Sequence, residues 1–126
     1  MDWSLSKNFR KSEFVCKHCG KSGPLFGLEI LRTALFMEKI RAFLGGRSIT
    51  VHSGYRCPVH NKAVGGEPNS YHMRGMACDF TVAGLSPAQV QEQLERAGSP
   101  VLNQGLGRYS SFTHCDRRGT RARWKR

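Results

Sequence analysis

The sequence predicts an α+β fold: a small, mainly antiparallel sheet with flanking helices. Three observations predict it. One long run repeats apolar residues at three- and four-residue steps. Several short runs alternate with period two. The order along the chain is helix, strand, long loop, strand, helix, two strands. At 126 residues, of which 39% are hydrophobic, the chain is expected to form one domain over 1–126 with a modest core.

Residues 1–22 read as an irregular, basic N-terminal arm, anchored to the core by Trp3, Leu5, Phe9 and Phe14. Pro24 lies near the start of the strongest helical pattern. Leu28, Leu31, Leu35, Ile40, Phe43 and Leu44 then recur up to Gly45-Gly46, a good helix stop. Ser48 to Arg56 alternates as a strand, with Ile49, Val51, Ser53 and Tyr55 on one side. Residues 57–71 are rich in Gly, Pro and Asn and read as loop. Gly75 to Val82 reads as a second strand. Ser86-Pro87-Ala88-Gln89 is a capping box with Pro at the first helical position. Its helix is expected to run to about Ala97, with Val90, Leu94 and Ala97 on one face, closed by Gly98, Ser99 and Pro100. Two short strands follow near 105–109 and 111–117, joined around Ser110. The last ten residues carry Arg117, Arg118, Arg121, Arg123, Lys125 and Arg126 and no acid. They read as a solvated basic tail or as an electrostatic handle for an anionic substrate.

Lys and Arg number 20 against 9 Asp and Glu, a formal balance of +11. That charge suits a polyanionic partner: nucleic acid, an anionic lipid surface or an acidic cell-wall polymer. No apolar run approaches the ~18 residues of a membrane span. The opening MDWSLSKNFRKSEF lacks the apolar core of a secretory signal, so synthesis in the cytoplasm without a signal peptide is expected. Nothing repeats and no segment is of low complexity. The five cysteines, Cys16, Cys19, Cys57, Cys78 and Cys115, are odd in number, which fits a reducing compartment. Cys16-Lys-His-Cys19-Gly looks like half of a zinc ribbon, but no second CxxC pair follows. A structural knuckle or plain packing, a second metal completed by Cys57 or His18, and a redox role are the readings open to it.

Aspartate is scarce: Asp2, Asp79 and Asp116 are the three. Two lie in strand-like segments near a histidine, where an unpaired carboxylate is costly and a bound metal removes the cost. Gly75, Ala77 and Asp79 share one strand face, so Asp79 points into space bordered by His72. Phe112, His114 and Asp116 share a face of the last predicted strand. Two His and one Asp, with a fourth position left for water, is the pattern of a catalytic zinc. Asp116 is placed to orient a ligand or accept a proton.

Together these segments resemble a family. Ser70-x-His72-x-x-Gly75-x-Ala77-x-Asp79 matches the SxHxxGxAxD signature of the M15 zinc peptidases, the D-Ala-D-Ala carboxypeptidases and peptidoglycan endopeptidases that share a fold with the hedgehog signalling domain. Ser53-Gly54-Tyr55-Arg56-Cys57-Pro58, followed by His60-Asn61, resembles the family's SGYRxPxxN segment. Phe112-Thr113-His114-Cys115-Asp116-Arg117, with Trp124 downstream, resembles its FxHxDxR…W ending. Glu13-Phe14-x-Cys16-x-x-Cys19-Gly20 is similar to the start of small single-domain members, many from phages and prophages.

The resemblance implies one catalytic zinc held by His72, Asp79 and His114. It implies that Arg56 binds a substrate carboxylate or stabilises the oxyanion. Ser70 is then expected to orient the loop or donate to Asp79, and Tyr55 and Trp124 to pack beside the substrate. One departure stands out: the acidic base that family members carry three residues before the last histidine is Ser111 here. Asp116 is the first candidate to replace it and catalyse proton transfer; Glu67 is the second. The implied function is zinc-dependent hydrolysis of an amide bond in peptidoglycan peptides, as a DD-carboxypeptidase, an endopeptidase or a phage lysin. The expected partner is peptidoglycan, met by a monomer after release or virion delivery. The alternative is a non-catalytic zinc module that binds cell wall or serves an assembly. A nucleic-acid partner is not expected, since no second knuckle or recognition helix is present.

Overall fold

A computed structural model describes residues 2–126. Five strands form one sheet: β1 (Ile49–Ser53), β2 (Ala77–Val82), β3 (Gly105–Arg108), β4 (Thr113–Asp116) and β5 (Ala122–Lys125). Their order across the sheet is β1-β2-β4-β3-β5. The first three neighbouring pairs are antiparallel; β5 joins β3 in parallel. The helices are α1 (Leu28–Phe43), α2 (Pro58–Ala63) and α3 (Pro87–Leu94). The α+β architecture is therefore the one the sequence implies.

Period-two alternation divides the sheet into two chemically different faces. Cys78, Phe80, Val82, Leu106 and Cys115 enter a core shared with Ile30, Ala34, Phe36, Met37 and Ile40 of α1 and Val90 and Leu94 of α3. Each large apolar side chain fully buried there contributes about 1.5–3 kcal/mol. The intervening residues Ala77, Asp79, Gly105, Gly107, His114 and Asp116 lie on the other face, which carries the buried polar side chains of Asp79, His114 and Asp116. One face supplies the stability, and the other is left for chemistry.

Several local expectations change. α1 starts at Leu28, because Leu25, Phe26 and Gly27 adopt positive φ and the chain cannot enter a right-handed helix before them. It buries Ile30, Leu31, Thr33, Ala34, Phe36, Met37 and Ile40, a wider arc than the leucine spacing predicts, while Leu28 and Leu35 are half-buried. In the N-terminal arm, Phe9 and Phe14 are buried but Leu5 is 60% exposed and anchors nothing. The segment read as loop over 57–71 contains α2: Cys57 caps it, with Sγ accepting from the His60 N–H, and Pro58 begins it. The capping box at Ser86 and Gln89 forms, but α3 stops at Leu94, three residues short of Ala97.

The C-terminal segment is not a frayed tail. Arg117 donates to Thr33 Oγ1 (3.0 Å) and the Glu29 carbonyl (3.0 Å), both on α1. Arg121 and Arg123 each pair with Glu95 at 2.7 Å. Arg126 pairs with Glu67 at 3.1 Å. These contacts hold β5 against β3, and Trp124 with it.

Candidate active site

The antiparallel register of β2 and β4 sets Asp79 directly opposite His114, and Ala77 opposite Asp116. His72 arrives from a short 3-10 turn over Tyr71–Arg74. Ser70 Oγ caps that turn by accepting from the His72 N–H (3.2 Å). Gly75 ends the turn at φ +69°, and a Cβ there would crowd Glu29 and Ile30 of α1. The glycine therefore delivers both His72 and the start of β2 to the same spot.

Three donor atoms converge there. Asp79 Oδ1 lies 3.1 Å from His72 Nε2 and 2.9 Å from His114 Nδ1. All three donor groups lie within 4.8 Å of one another. The outer nitrogens of both rings are already committed. His72 Nδ1 donates to the Gly54 carbonyl at 2.7 Å, and His114 Nε2 lies 2.8 Å from Asp116 Oδ2. A carbonyl accepts only, so the Nδ1 proton fixes the neutral His72 tautomer with its Nε2 lone pair facing Asp79.

Burial, the largest influence on His72, lowers its pKa against the pull of Asp79, so this ring is kept neutral. A bare nitrogen then faces a carboxylate oxygen, an arrangement that a cation relieves. Burial also lowers His114, but the bonds to Asp116 and Asp79 outweigh it and its pKa is raised. Burial would raise Asp79, yet the bond from His114, the largest opposing influence, holds it well below the usual carboxylate range. Two imidazoles and a carboxylate, with outer hydrogen bonds that aim both rings inward, fit zinc.

The fourth side opens into a cavity of about 430 Å³. Arg56, Glu67, Ser70, Tyr109, Arg118 and Trp124 are on its wall. Arg56 is tied down at three points: Nη2 to Asp79 Oδ2 (2.9 Å), Nε to Ser53 Oγ (3.0 Å) and Nη1 to Asn61 Oδ1 (3.3 Å). A guanidinium has five N–H donors, so two remain for a ligand. Trp124 donates from Nε1 to the Tyr109 hydroxyl (3.0 Å), and its ring centroid lies 5.1 Å from that of His114.

Asp116 needs a correction. Expected as the proton carrier, it is fully buried and lies on the outer nitrogen of His114, away from Asp79 and off the cavity wall. Arg118 grips it with Nε to Oδ1 (2.7 Å) and Nη2 to Oδ2 (2.8 Å). Burial alone would raise its pKa, but Arg118 and His114 bring it down to about 2. Such a carboxylate is placed to orient His114.

Tyr55, expected beside the substrate, lies off the wall of this cavity. It packs under Gly23 and borders a separate hollow with Lys11, Lys21 and Phe26. Ser70 lines the cavity, but its hydroxyl caps the His72 turn and makes no bond to Asp79. Ser111 is exposed in the β3–β4 turn and lies off the cavity wall. Glu67 is on the wall, and among the described residues it is the only carboxylate there besides Asp79.

Sequence reasoning missed Arg118. Its guanidinium lies over the rings of Tyr71 (4.6 Å) and Trp124 (5.1 Å) while holding Asp116. Gly105 and Gly107 were also missed. A Cβ at Gly105 would collide with the Asp116 carboxylate, and one at Gly107 with the Trp124 indole. The pattern Gly105-Leu-Gly107 on a strand was the available signal, since strand glycines mark a close approach.

Comparison with known proteins agrees with this geometry. The family model described as Peptidase M15 matches residues 7–116. The zinc D-Ala-D-Ala carboxypeptidase of Streptomyces albus G is 29% identical over 62% of this chain and 31% of its own length. A probable peptidoglycan L,D-endopeptidase (MepK) of Haemophilus influenzae is 36% identical over 68% of this chain and 48% of its own. The chain thus spans between about a third and a half of these curated relatives.

Proposed function

Since the chain belongs to the M15 peptidase family, we propose that it is a zinc-dependent peptidase hydrolysing an amide bond in peptidoglycan peptides. The observation that carries this reading is the convergence of His72, Asp79 and His114, with their outer atoms held, at the floor of an open cavity. A zinc ion held there supplies Lewis-acid polarisation of the scissile carbonyl and a water whose pKa falls to about 7.

This chain's own residues do the rest. Arg56 offers its two spare N–H donors to the carbonyl oxygen as negative charge develops, or to a terminal carboxylate of the peptide. Its three fixed bonds mean that little reorganisation accompanies the reaction. Asp116 and Arg118 hold His114 in the tautomer that points Nδ1 inward. Glu67 takes the proton of the attacking water and passes it to the leaving amine; its support is its place on the cavity wall, where it pairs with Arg126. Trp124 and Tyr109 form an aromatic wall against which the peptide packs.

The chain is read as acting at the cell wall, as a monomeric lysin released or delivered to it; the +11 charge, drawn to an anionic polymer, supports this. Mass spectrometry of muropeptides from purified sacculi, digested with and without chelator, tests the function. New peptide termini that vanish with chelator are expected. Products indifferent to chelator overturn the zinc mechanism. A zinc-loaded protein that releases nothing returns the chain to a non-catalytic binding module.

A further inference from the structure

A second group of metal-ligating side chains lies outside the cavity. Cys16, Cys19 and Cys57 bring their sulfurs within 4.8 Å of one another, although Cys57 lies 41 residues from Cys16. The local backbone is folded around them. Cys16 N donates to the Lys21 carbonyl (2.9 Å) and Gly20 N to the Cys16 carbonyl (2.8 Å), closing a tight turn over the CxxC pair. Gly20 sits at φ +72°, with open space where a Cβ would be, so the turn and not crowding calls for glycine. The Cys57 N–H points at Cys16 Sγ (3.4 Å) and the His60 N–H at Cys57 Sγ (3.4 Å). Amide hydrogens aimed at sulfur stabilise thiolates.

The other two cysteines show what mere packing looks like here. Cys78 and Cys115 face each other across β2 and β4, fully buried in the core beside Met37. The Cys16 group instead straddles the surface, with Cys16 buried, Cys57 half-buried and Cys19 exposed. A disulfide is a poor account of three thiols, because it would use two and strand the third. A tetrahedral zinc with Zn–S bonds of about 2.3 Å needs sulfurs roughly 3.8 Å apart, a small contraction from this arrangement. Two imidazoles flank these cysteines in sequence. His18 lies inside the CxxC turn and His60 one helical turn beyond Cys57, with rings stacked at 6.0 Å and 7°.

We propose that Cys16, Cys19 and Cys57 hold a second, structural zinc ion, with His18 or His60 closing the coordination. The ion ties the N-terminal turn to the chain at Cys57, next to Arg56. It clamps the segment that presents Arg56 and α2 to the cavity.

Cobalt substitution of the full chain separates the two sites, because the His72–Asp79–His114 site has no sulfur. Purified protein, stripped and reloaded with Co(II) under reducing conditions, is expected to show a near-ultraviolet sulfur-to-cobalt charge-transfer band. The band should persist in His72→Ala and vanish in Cys57→Ser. Elemental analysis should find two zinc ions per chain, one in each variant. A wild-type chain that binds one zinc, lost entirely in His72→Ala, overturns the proposal. So does a cobalt-loaded wild type or His72→Ala variant without the band, a result that stands even if Cys57→Ser does not fold.

Discussion

Replacing Asp116 separates orientation from proton transfer. Three hydrogen bonds end on this buried carboxylate, one from His114 and two from Arg118. In Asp116→Asn the side chain keeps its shape but only one arm accepts. With its oxygen toward His114 and Arg118 Nη2, its NH2 opposes Arg118 Nε. His114 keeps a neutral acceptor, and the Arg118 grip is halved. In Asp116→Ala, His114 Nε2 loses its partner outright.

Losing such an outer partner typically costs 10–100-fold in metal affinity. Asn should therefore fall near the low end, about tenfold or ~1.4 kcal/mol, and Ala near about 100-fold or ~2.7 kcal/mol. Competition against a chromogenic zinc chelator measures this, with thermal unfolding as a check on folding. At saturating zinc the Asn variant should release muropeptides within about tenfold of wild type, whereas loss of a general base costs about 10²–10⁴. A loss of that size at full zinc loading, with zinc affinity unchanged, would refute the orienting role and restore Asp116 as proton carrier.

Arg56→Lys should keep its zinc yet lose about 10²–10³ in kcat/KM, since one ammonium cannot span Ser53, Asn61 and Asp79 and still face substrate; loss of zinc instead would mean that Arg56 acts only through Asp79. Glu67→Gln should lower kcat by about 10²–10⁴ with zinc affinity unchanged, and near-wild-type turnover would remove Glu67 as the base. In the metal-free protein, the lowered Asp116 pKa gives stability that is present above its ordinary value of 3.8 and lost as pH falls through about 2. The raised His114 pKa gives stability that is present below 6.5 and lost as pH rises through its folded value. Melting temperature against pH should therefore fall at both ends, and Asp116→Asn should flatten the acid limb. Gly105→Ala drives a methyl group into the Asp116 carboxylate and should cost about 1–3 kcal/mol in thermal unfolding, together with weaker zinc binding; no change in either would contradict the close approach.

The legible parts of the fold were those set by short-range patterns. Alternation in 49–53, 77–82 and 113–116 fixed which residues share a face, and so brought Asp79 and His114 together. The capping box at Ser86 placed the start of α3. What was not legible depends on partners far along the chain. α2 hides in Gly- and Pro-rich composition because its cap is a cysteine rather than Ser or Asp. β5 has few apolar residues and pairs in parallel with β3, which local periodicity does not announce. Arg117 and Arg118 look interchangeable in sequence. Just past the end of β4, however, the first turns back to Thr33 and Glu29 on α1, and the second reaches forward to Asp116 and Trp124. One position decides between holding a helix and shaping the site.

The same long-range pairing relocates the positive charge. Composition gives +11 but cannot place it. Of the six basic residues in the last ten, Arg117, Arg118, Arg121, Arg123 and Arg126 are spent on Glu29, Asp116, Glu95 and Glu67. The segment that looked most available to a polyanion is the one most neutralised. Among the described residues, no lysine takes part in an ion pair, and Lys7, Lys11, Lys17 and Lys21 all lie in the N-terminal segment, with Arg10 among them. An anionic wall polymer would therefore find a group of uncommitted cations on the segment carrying the CxxC turn, whose third cysteine adjoins Arg56. If docking runs through these lysines, substituting them should weaken binding to sacculi in a salt-dependent way and leave hydrolysis of a small soluble peptide untouched. Substituting Arg121 or Arg123 should instead loosen β5 and lower the melting temperature.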